Sequence, residues 1–338
     1  MSNPQQSMPI DFVIMWVDGN DPAWRAERDR YSPKKENDNR DVRYRDWNQL
    51  QYWFRGVEKF APWVRTIHFV TWGHLPAWLD TTNPKLHIVR HEDFIPHEYL
   101  PLFNSSAIEI FINRIEGLAE HFVFFNDDVF CINHLTPEDF FTNGKPNDML
   151  AFQPVVANPL NTVMSHLFLN NSLAICRHFD KRSGVMKHPG HYFHIGYPPL
   201  YFFYNLLEMM FPLYTGFFTV HGPSAFCKST FEEVWTAEEE ALLETATHRF
   251  RDKGDVTQYL FREWQKLKGN FKPDNPLKTC AYFDVDNDNT KLVRTLVGQK
   301  KKTICINDAN VPIDFERVQK QLDVAFMQIL PERCSFEK

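Results

Sequence analysis

The sequence has no surplus of basic charge: 37 Lys and Arg face 43 Asp and Glu, a net charge of −6 over 338 residues. Without that surplus counterion release cannot drive binding, and no nucleic-acid partner is expected. The longest basic run, Lys300 to Lys302, reads as a solvated loop. Paired cysteines are missing as well. The six cysteines, at 131, 176, 227, 280, 305 and 334, form no CxxC spacing, which removes the usual structural zinc site. The opening MSNPQQSMPI lacks the basic and apolar regions of a signal peptide, so reduced thiols in a cytoplasmic protein are expected. Glycine-rich phosphate loops, GxSxG elbows and HExxH pairs are absent. The most apolar stretch, Tyr201 to Val220, is interrupted by Asn205, Glu208, Pro212 and Gly216. It is expected to be a buried or interfacial segment and not a membrane span.

What is present is a substantial core: 43% of residues are hydrophobic and 15% aromatic, which excludes disorder as the main state. Ile10 to Val17 is a nearly continuous apolar run that stops at Asp18-Gly19, as a strand covered on both faces would. The charged stretch from Arg25 to Arg45 reads as a loop or helical excursion. A helix is expected from Asp46, with Gln49 as its capping-box partner and Leu50, Trp53, Phe54 and Val57 as its apolar face. Thr66 to Trp72 and Lys85 to Val89 read as strands, and Ser106 with Glu109 as the start of a helix running to Leu118. Phe122 to Phe125 then runs into Asn126-Asp127-Asp128. This alternation gives an α/β, Rossmann-like expectation with a mainly parallel sheet. Beyond residue 141 prolines, histidines and aromatic residues become dense, which suits an added helical lobe facing a substrate. Helices are expected over Glu232–Thr245, Val256–Lys268 and 314–329, with a strand at Thr303–Ile306 ahead of Asn307. The expected division is therefore 1–141 for the nucleotide and metal half and 142–338 for the acceptor-facing lobe and the part completing the site.

Two acidic clusters, Asp18 and Asp127-Asp128, fall at the ends of apolar strands and hence on one rim of the sheet, where ligands of open α/β sheets bind. Adjacent carboxylates need a compensating charge. A hard divalent cation would supply it, although Asn and Asp are also common turn residues. Asp18-Gly19 permits close backbone approach by a ligand, and equally makes an ordinary turn. His221 follows the apolar run Gly216 to Val220, at an expected strand-to-loop boundary. Its side-chain type suits a general base, though most of 14 histidines must be structural. His188, His191 and His194 read as core or substrate-contact residues. Arg249, Arg251 and Arg114 could clamp phosphate or simply pair at the surface.

Taken together these segments resemble the Stealth proteins, a family of sugar-1-phosphate transferases. The blocks that carry the resemblance are IDFVIMWVDGNDPAW, the stretch from Arg43 through RDWNQLQYWFRGVEKFAPWVRTIHFVTWGHLPAWL and LPLFNSSAIEIFINRIEGLAEHFVFFNDDVF, then VHGPSAFCK with HRFRDKGDVTQYL, and finally KKTICINDAN with ILPERCSFE. The resemblance implies transfer of a sugar-1-phosphate from a nucleotide sugar, a UDP-sugar, to a glycan hydroxyl in capsular or exopolysaccharide synthesis, with release of UMP. It implies a divalent cation, Mg²⁺ or Mn²⁺, held by Asp127, Asp128 and Asn307. It implies His221 as the base, with Asp128, Arg251 and Arg114 at the reacting phosphate, and Asp18, Gly19, Trp16 and Arg43 at the donor. The acceptor would be an oligosaccharide or a lipid-linked glycan, either soluble in the cytoplasm or met at the inner face of the cell membrane. Peripheral contact with the membrane or with polysaccharide-assembly enzymes would go with that. Two other readings compete: a metal-dependent glycosyltransferase that releases UDP, and a non-catalytic glycan-binding protein.

Overall fold

The computed structural model describes residues 8–32, 46–159, 161–308 and 312–338. Its strands are, in chain order, β1 (Ile10–Met15), β2 (Ile67–Thr71), β3 (Leu86–Arg90), β4 (His121–Phe125), β5 (Val129–Cys131), β6 (Phe141–Thr142), β7 (Lys145–Asp148), β8 (Ser224–Cys227), β9 (Lys272–Pro273), β10 (Cys280–Asp284) and β11 (Thr303–Asn307). The main sheet has the order β3-β2-β1-β4-β8. The first three pairings are parallel, and β8 closes the edge antiparallel to β4. A second sheet, β10-β11-β5, begins where β4 ends, and a small third sheet has the order β6-β7-β9. The protein is thus α/β with a mainly parallel central sheet, as expected. Segments on both sides of residue 141 share the sheets, since β8 joins β4 and β11 joins β5.

Both faces of the main sheet are covered, which explains why its strands read as unbroken apolar runs. Along β1, Phe12 and Ile14 enter one core while Val13 enters the other; along β4, Val123 and Phe125 separate from Phe122 and Phe124 in the same way. The charged exception is Asp11, fully buried and bound by Arg65, His68 and the backbone N–H of Ala119. The first core is closed by helix Leu50–Phe60 and helix Phe315–Ile329, with Trp53 and Phe54 fully buried. Burying each such ring contributes roughly 2–3 kcal/mol. Arg55 clamps the carboxy-terminal tail by two bonds to Glu337 at 2.7 and 2.8 Å.

Several local expectations change. Helix Leu50–Phe60 starts four residues after Asp46, because Asp46 accepts from Asn48 N–H and Asn48 takes a left-handed conformation, φ 55°. The charged stretch from Arg25 begins as the helical alternative, in helix Pro22–Tyr31 capped by the Asp21 carboxylate on Trp24 N–H, and its remainder from residue 33 to 45 lies outside the described residues. The expected helix from Ser106 is a short helix, Ser105–Glu109, capped by Asn104, followed by a 3-10 turn at Ile112–Arg114. Glu232–Thr245 falls into two helices, Lys228–Ala237 and Glu239–Thr247, and the other two helices form at Gln258–Leu267 and Phe315–Ile329. The added lobe contains helices Thr162–His178, Lys181–Lys187, Pro189–Tyr192 and Pro199–Glu208. Of the two alternatives for Tyr201 to Val220, full burial does not hold: Asn205, Glu208, Tyr214 and Val220 are buried, while much of the apolar surface faces outward.

Candidate active site

The site begins with two neighbouring strands. β1 and β4 run parallel with Ile14 opposite Phe125, so Asp18 and Asn126-Asp127-Asp128 emerge from the same sheet edge. Asp18 is fixed by its backbone, whose N–H donates to His74 Nε2 at 2.7 Å. Its carboxylate accepts from Asn20 N–H. Gly19 is buried, and its carbonyl accepts from Arg25 Nε at 2.6 Å. Trp16 lies just inside, buried and stacked on Phe69 and edge-on to His74, the residue that holds Asp18 N–H. Arg43 lies outside the described residues.

The turn from β4 to β5 is held at both ends. Val129 N–H donates to Asn126 O, and Ile306 N–H of β11 donates to Asp128 O at 2.8 Å. Asp127 is exposed to solvent along one side, yet protein packs closely around its carboxyl. That desolvation, with Asp128 and Asp46 nearby, pushes its carboxyl up to about 7. Asp46 is raised in turn, first by burial and then by Asp18. Carboxylates from three separate segments therefore repel one another across one small region.

His221 stands over this turn. Its Nε2 lies 3.1 Å from Asp128 Oδ2, and its Nδ1 lies 3.0 Å from Tyr259 Oη. Burial disfavours charge on the ring, but Tyr259, Asp128 and Cys305 outweigh it and lift the pKa well above the usual histidine value. No strand precedes His221. Phe217 makes a lone bridge to Phe152, and the chain bends at His221-Gly222 before entering β8. What places His221 is Arg262, a buried guanidinium paired with Asp148 at 2.6 and 2.9 Å that also donates to Val220 O at 3.0 Å. Gly222 is required by crowding: a Cβ there would lie 2.6 Å from Cys280 Sγ.

Arg251 approaches from a loop riveted to residues 103–105. The buried Asp255 carboxylate binds His248 Nδ1, Asn104 Nδ2 and Asp252 N–H, while Phe103 N–H donates to Arg249 O. Arg251 itself donates to Ser105 Oγ at 2.5 Å and contacts Met164 Sδ. Glu109 is buried beside it and is pushed to about 7 by burial, against the pull of Arg251, Gln258 N–H and His221. Arg114 is engaged elsewhere: its guanidinium lies over the rings of Phe111 and Trp235, 4.8 and 4.7 Å from their centroids.

The arrangement accommodates a divalent cation. Among the described residues, one group of three potential ligands lies within 4.8 Å: Asp128, His221 and Cys305. Burial holds the Cys305 thiol far above its ordinary pKa, so it donates to Asp128 Oδ2 at 3.4 Å as a neutral thiol. With Oδ2 occupied by His221 and Cys305, Asp128 Oδ1 is buried without a hydrogen-bond partner. An orphaned carboxylate oxygen beside the crowded Asp127 is what an oxygen-ligated cation would satisfy. Asn307 ends β11 at the same rim and donates to Asp284 Oδ1 at 2.6 Å.

Tyr259, Glu109, Asp46, His74 and Cys305 were not anticipated as site residues. Asp46 and Glu109 sit at positions that also suit helix caps, and the others join the site through contacts distant in sequence.

Comparison with known proteins finds relatives over the whole chain. Three regions described for Stealth proteins match the chain: conserved region 1 over residues 8–36, conserved region 2 over 43–149 and conserved region 3 over 220–261. The second contains Asp127 and Asp128, and the third His221, Arg251 and Tyr259. The chain is 36% identical over 341 residues to the capsular polysaccharide phosphotransferase WcwK of Streptococcus pneumoniae, covering all of both chains. It is 39% identical to the exopolysaccharide phosphotransferase cps2G of Lactiplantibacillus plantarum, covering 97% of this chain and 96% of that protein. With the receptor polysaccharide phosphotransferase WefC of Streptococcus gordonii it shares 38% identity, covering 97% and 98%. Among solved structures, the bifunctional glycosyltransferase WbbM aligns with a TM-score of 0.40 at 12% identity, over 97% of this chain and 52% of that one. The galactosyltransferase LgtC aligns with a TM-score of 0.39 at 11% identity, over 93% and 95%.

Proposed function

The chain belongs to the Stealth protein family and is an enzyme of the polysaccharide phosphotransferase kind; on that premise we propose that it moves a sugar-1-phosphate from a UDP-sugar to a glycan hydroxyl. A phosphodiester forms and UMP leaves, as capsular or exopolysaccharide synthesis requires. The observation that supports this reading is His221, bracketed by Asp128 and Tyr259 directly above the crowded acidic turn.

In this reading the acceptor hydroxyl gives its proton to His221 Nε2 after the ring has lost the proton that Asp128 and Tyr259 favour, so turnover rises with pH through the raised pKa of the ring. Tyr259 holds the other ring nitrogen, fixing the ring orientation as the base role demands. Arg262 and Asp148 keep the preceding carbonyl in place, so His221 is presented by a rigid support. Arg251, held by Ser105 within the Asp255 loop, stabilises the charge on the transferring phosphate. Asp18 and Gly19, with Trp16 behind them, face the donor. A divalent cation, Mg²⁺ or Mn²⁺, would be held by Asp127 and Asp128 with Asn307 at the rim, where it would neutralise diphosphate charge. Tyr282, half exposed and edge-on to His221 with ring centroids 6.1 Å apart, offers a sugar-stacking surface on the acceptor side.

The nucleotide released in the presence of acceptor tests the proposal. UMP supports attack at phosphorus. UDP would replace it with attack at the sugar carbon, and His221 and Arg251 would lose these roles.

A further inference from the structure

Helix Pro199–Glu208 is built inside out. Leu200, Phe203, Leu206, Leu207 and Met210 recur at spacings of three and four and, with Phe202, cover one broad face. That face points to solvent, with Leu206 54% and Met210 79% exposed. The opposite face carries the polar residues and turns them inward. Asn205, 0% exposed, bonds to Leu150 O, Tyr192 O and Phe152 N–H. Glu208 bonds to Lys181 and to Thr215. A helix in a water-soluble fold ordinarily does the reverse.

The inversion is held by built-in interactions. Buried Lys181 donates to Glu208 Oε1, Glu208 O and Leu213 O. It thereby saturates the turn after the helix and leaves Phe211 and Leu213 outside. Phe193 packs edge-on to Phe202, tying in the preceding segment, where Ile195 is 97% exposed. More than half of the large apolar side chains exposed among the described residues fall within residues 181–213. Isolated exposed apolar residues need no explanation, but a concentration of this kind marks an interaction surface.

Charge identifies the partner. Between 181 and 213 the exposed charged side chains are Arg182 and Lys187, accompanied by His188, while the carboxylate in that range, Glu208, is buried. Asp180, just outside it, caps the helix at Ser183 N–H. In a chain of net charge −6, an exposed apolar segment that carries two exposed cations, against one exposed carboxylate at its border (Asp180, engaged as a helix cap), complements an anionic lipid surface. No helix among the described residues is long and apolar enough to cross a membrane. We propose that residues 181–213 form a peripheral docking face for an anionic bilayer, with helix Pro199–Glu208 and the following turn lying in the interface. The same lobe reaches the active site, since Phe168 of helix Thr162–His178 stacks on Tyr259 and Met164 contacts Arg251. Docking would therefore hold the site close to the membrane surface.

Co-sedimentation with vesicles tests this without any assay of turnover. The full chain is expected to bind phosphatidylglycerol–phosphatidylcholine vesicles, and to bind pure phosphatidylcholine more weakly. The double variant Phe203→Glu/Leu207→Glu should lose about tenfold or more in partitioning. Arg182→Glu/Lys187→Glu should lose the preference for anionic vesicles, and salt should weaken it in the parent. Both variants alter exposed positions and should melt as the parent does. A parent that stays in the supernatant with anionic vesicles would overturn the proposal, as would unchanged binding by Phe203→Glu/Leu207→Glu. A parent that is a dimer in solution, ignores vesicles and is made monomeric by that variant would overturn it by assigning the face to a second copy.

Discussion

His221 Nε2 lies 3.1 Å from Asp128 Oδ2, joining two residues 93 positions apart across the ends of β8 and β4. The contact sets the proton carrier of the proposed reaction against the carboxylate best placed to meet a cation. It also couples their states, because a proton on His221 and a cation at Asp128 draw on the same negative charge.

Replacement of the ring should remove turnover and leave the fold. His221→Ala is expected to lower kcat by about 10²–10⁴-fold, with an unchanged melting temperature. Steady-state nucleotide release measures this, and near-parental turnover would eliminate His221 as the base.

Asp128→Asn should abolish metal-dependent activity and weaken Mn²⁺ binding measured by calorimetry. In the parent, Asp127 at about 7 must lose its proton before it can serve as a ligand. Cation affinity should therefore rise with pH up to about 7, falling by up to about tenfold per unit below it, with measurable proton release. A pH-independent affinity between 6 and 8 would take Asp127 out of the cation site.

Gly222→Ala places a methyl group 2.6 Å from Cys280 Sγ and should push the His221 backbone out of position. The expected cost is about tenfold to hundredfold in kcat. Cys280→Ala should restore much of it in the double variant, since the nearest atom would then be the Cβ at 3.6 Å. Equal activities of the single and double variants would show that this contact does not position His221.

Glu109 carries a pH signature of stability. Burial raises it from 4.5 to about 7, so the folded chain binds its proton more tightly than the unfolded chain. Its contribution is intact below about 4.5 and is lost as pH rises through 7. Glu109→Gln should flatten that slope, gaining up to about 3 kcal/mol relative to the parent between pH 4.5 and 7.5. Denaturant titrations at several pH values measure it. Parallel curves for the two proteins would show that Glu109 does not carry the shift.

The parts of this molecule that were legible in sequence are those decided locally. A parallel strand buried on both faces must read as a continuous apolar run, so the ends of β1 and β4, and with them Asp18 and Asp127-Asp128, stood out. Residues brought in by tertiary contact did not. Tyr259 reads as one more aromatic on a helix until Thr257 and Asn171 fix the start of that helix. Arg262 and Asp148 are separated by 114 positions before they become a pair. Helix Pro199–Glu208 was legible only as an alternative: its apolar run allowed a buried or an interfacial segment, and composition does not show that the buried face is the polar one, because Lys181 and the backbone of residues 150–152 need its Asn205 and Glu208. Arg114 shared a pattern with the phosphate-clamping candidates, yet two aromatic rings claim its guanidinium.

The most direct test of the central claim is ³¹P NMR of the glycan product after incubation with Mg²⁺, a panel of UDP-sugars and oligosaccharide acceptors. A new phosphodiester signal that depends on acceptor, appears with equimolar UMP and is missing with His221→Ala is the predicted result. A phosphorus-free product accompanied by UDP would contradict it.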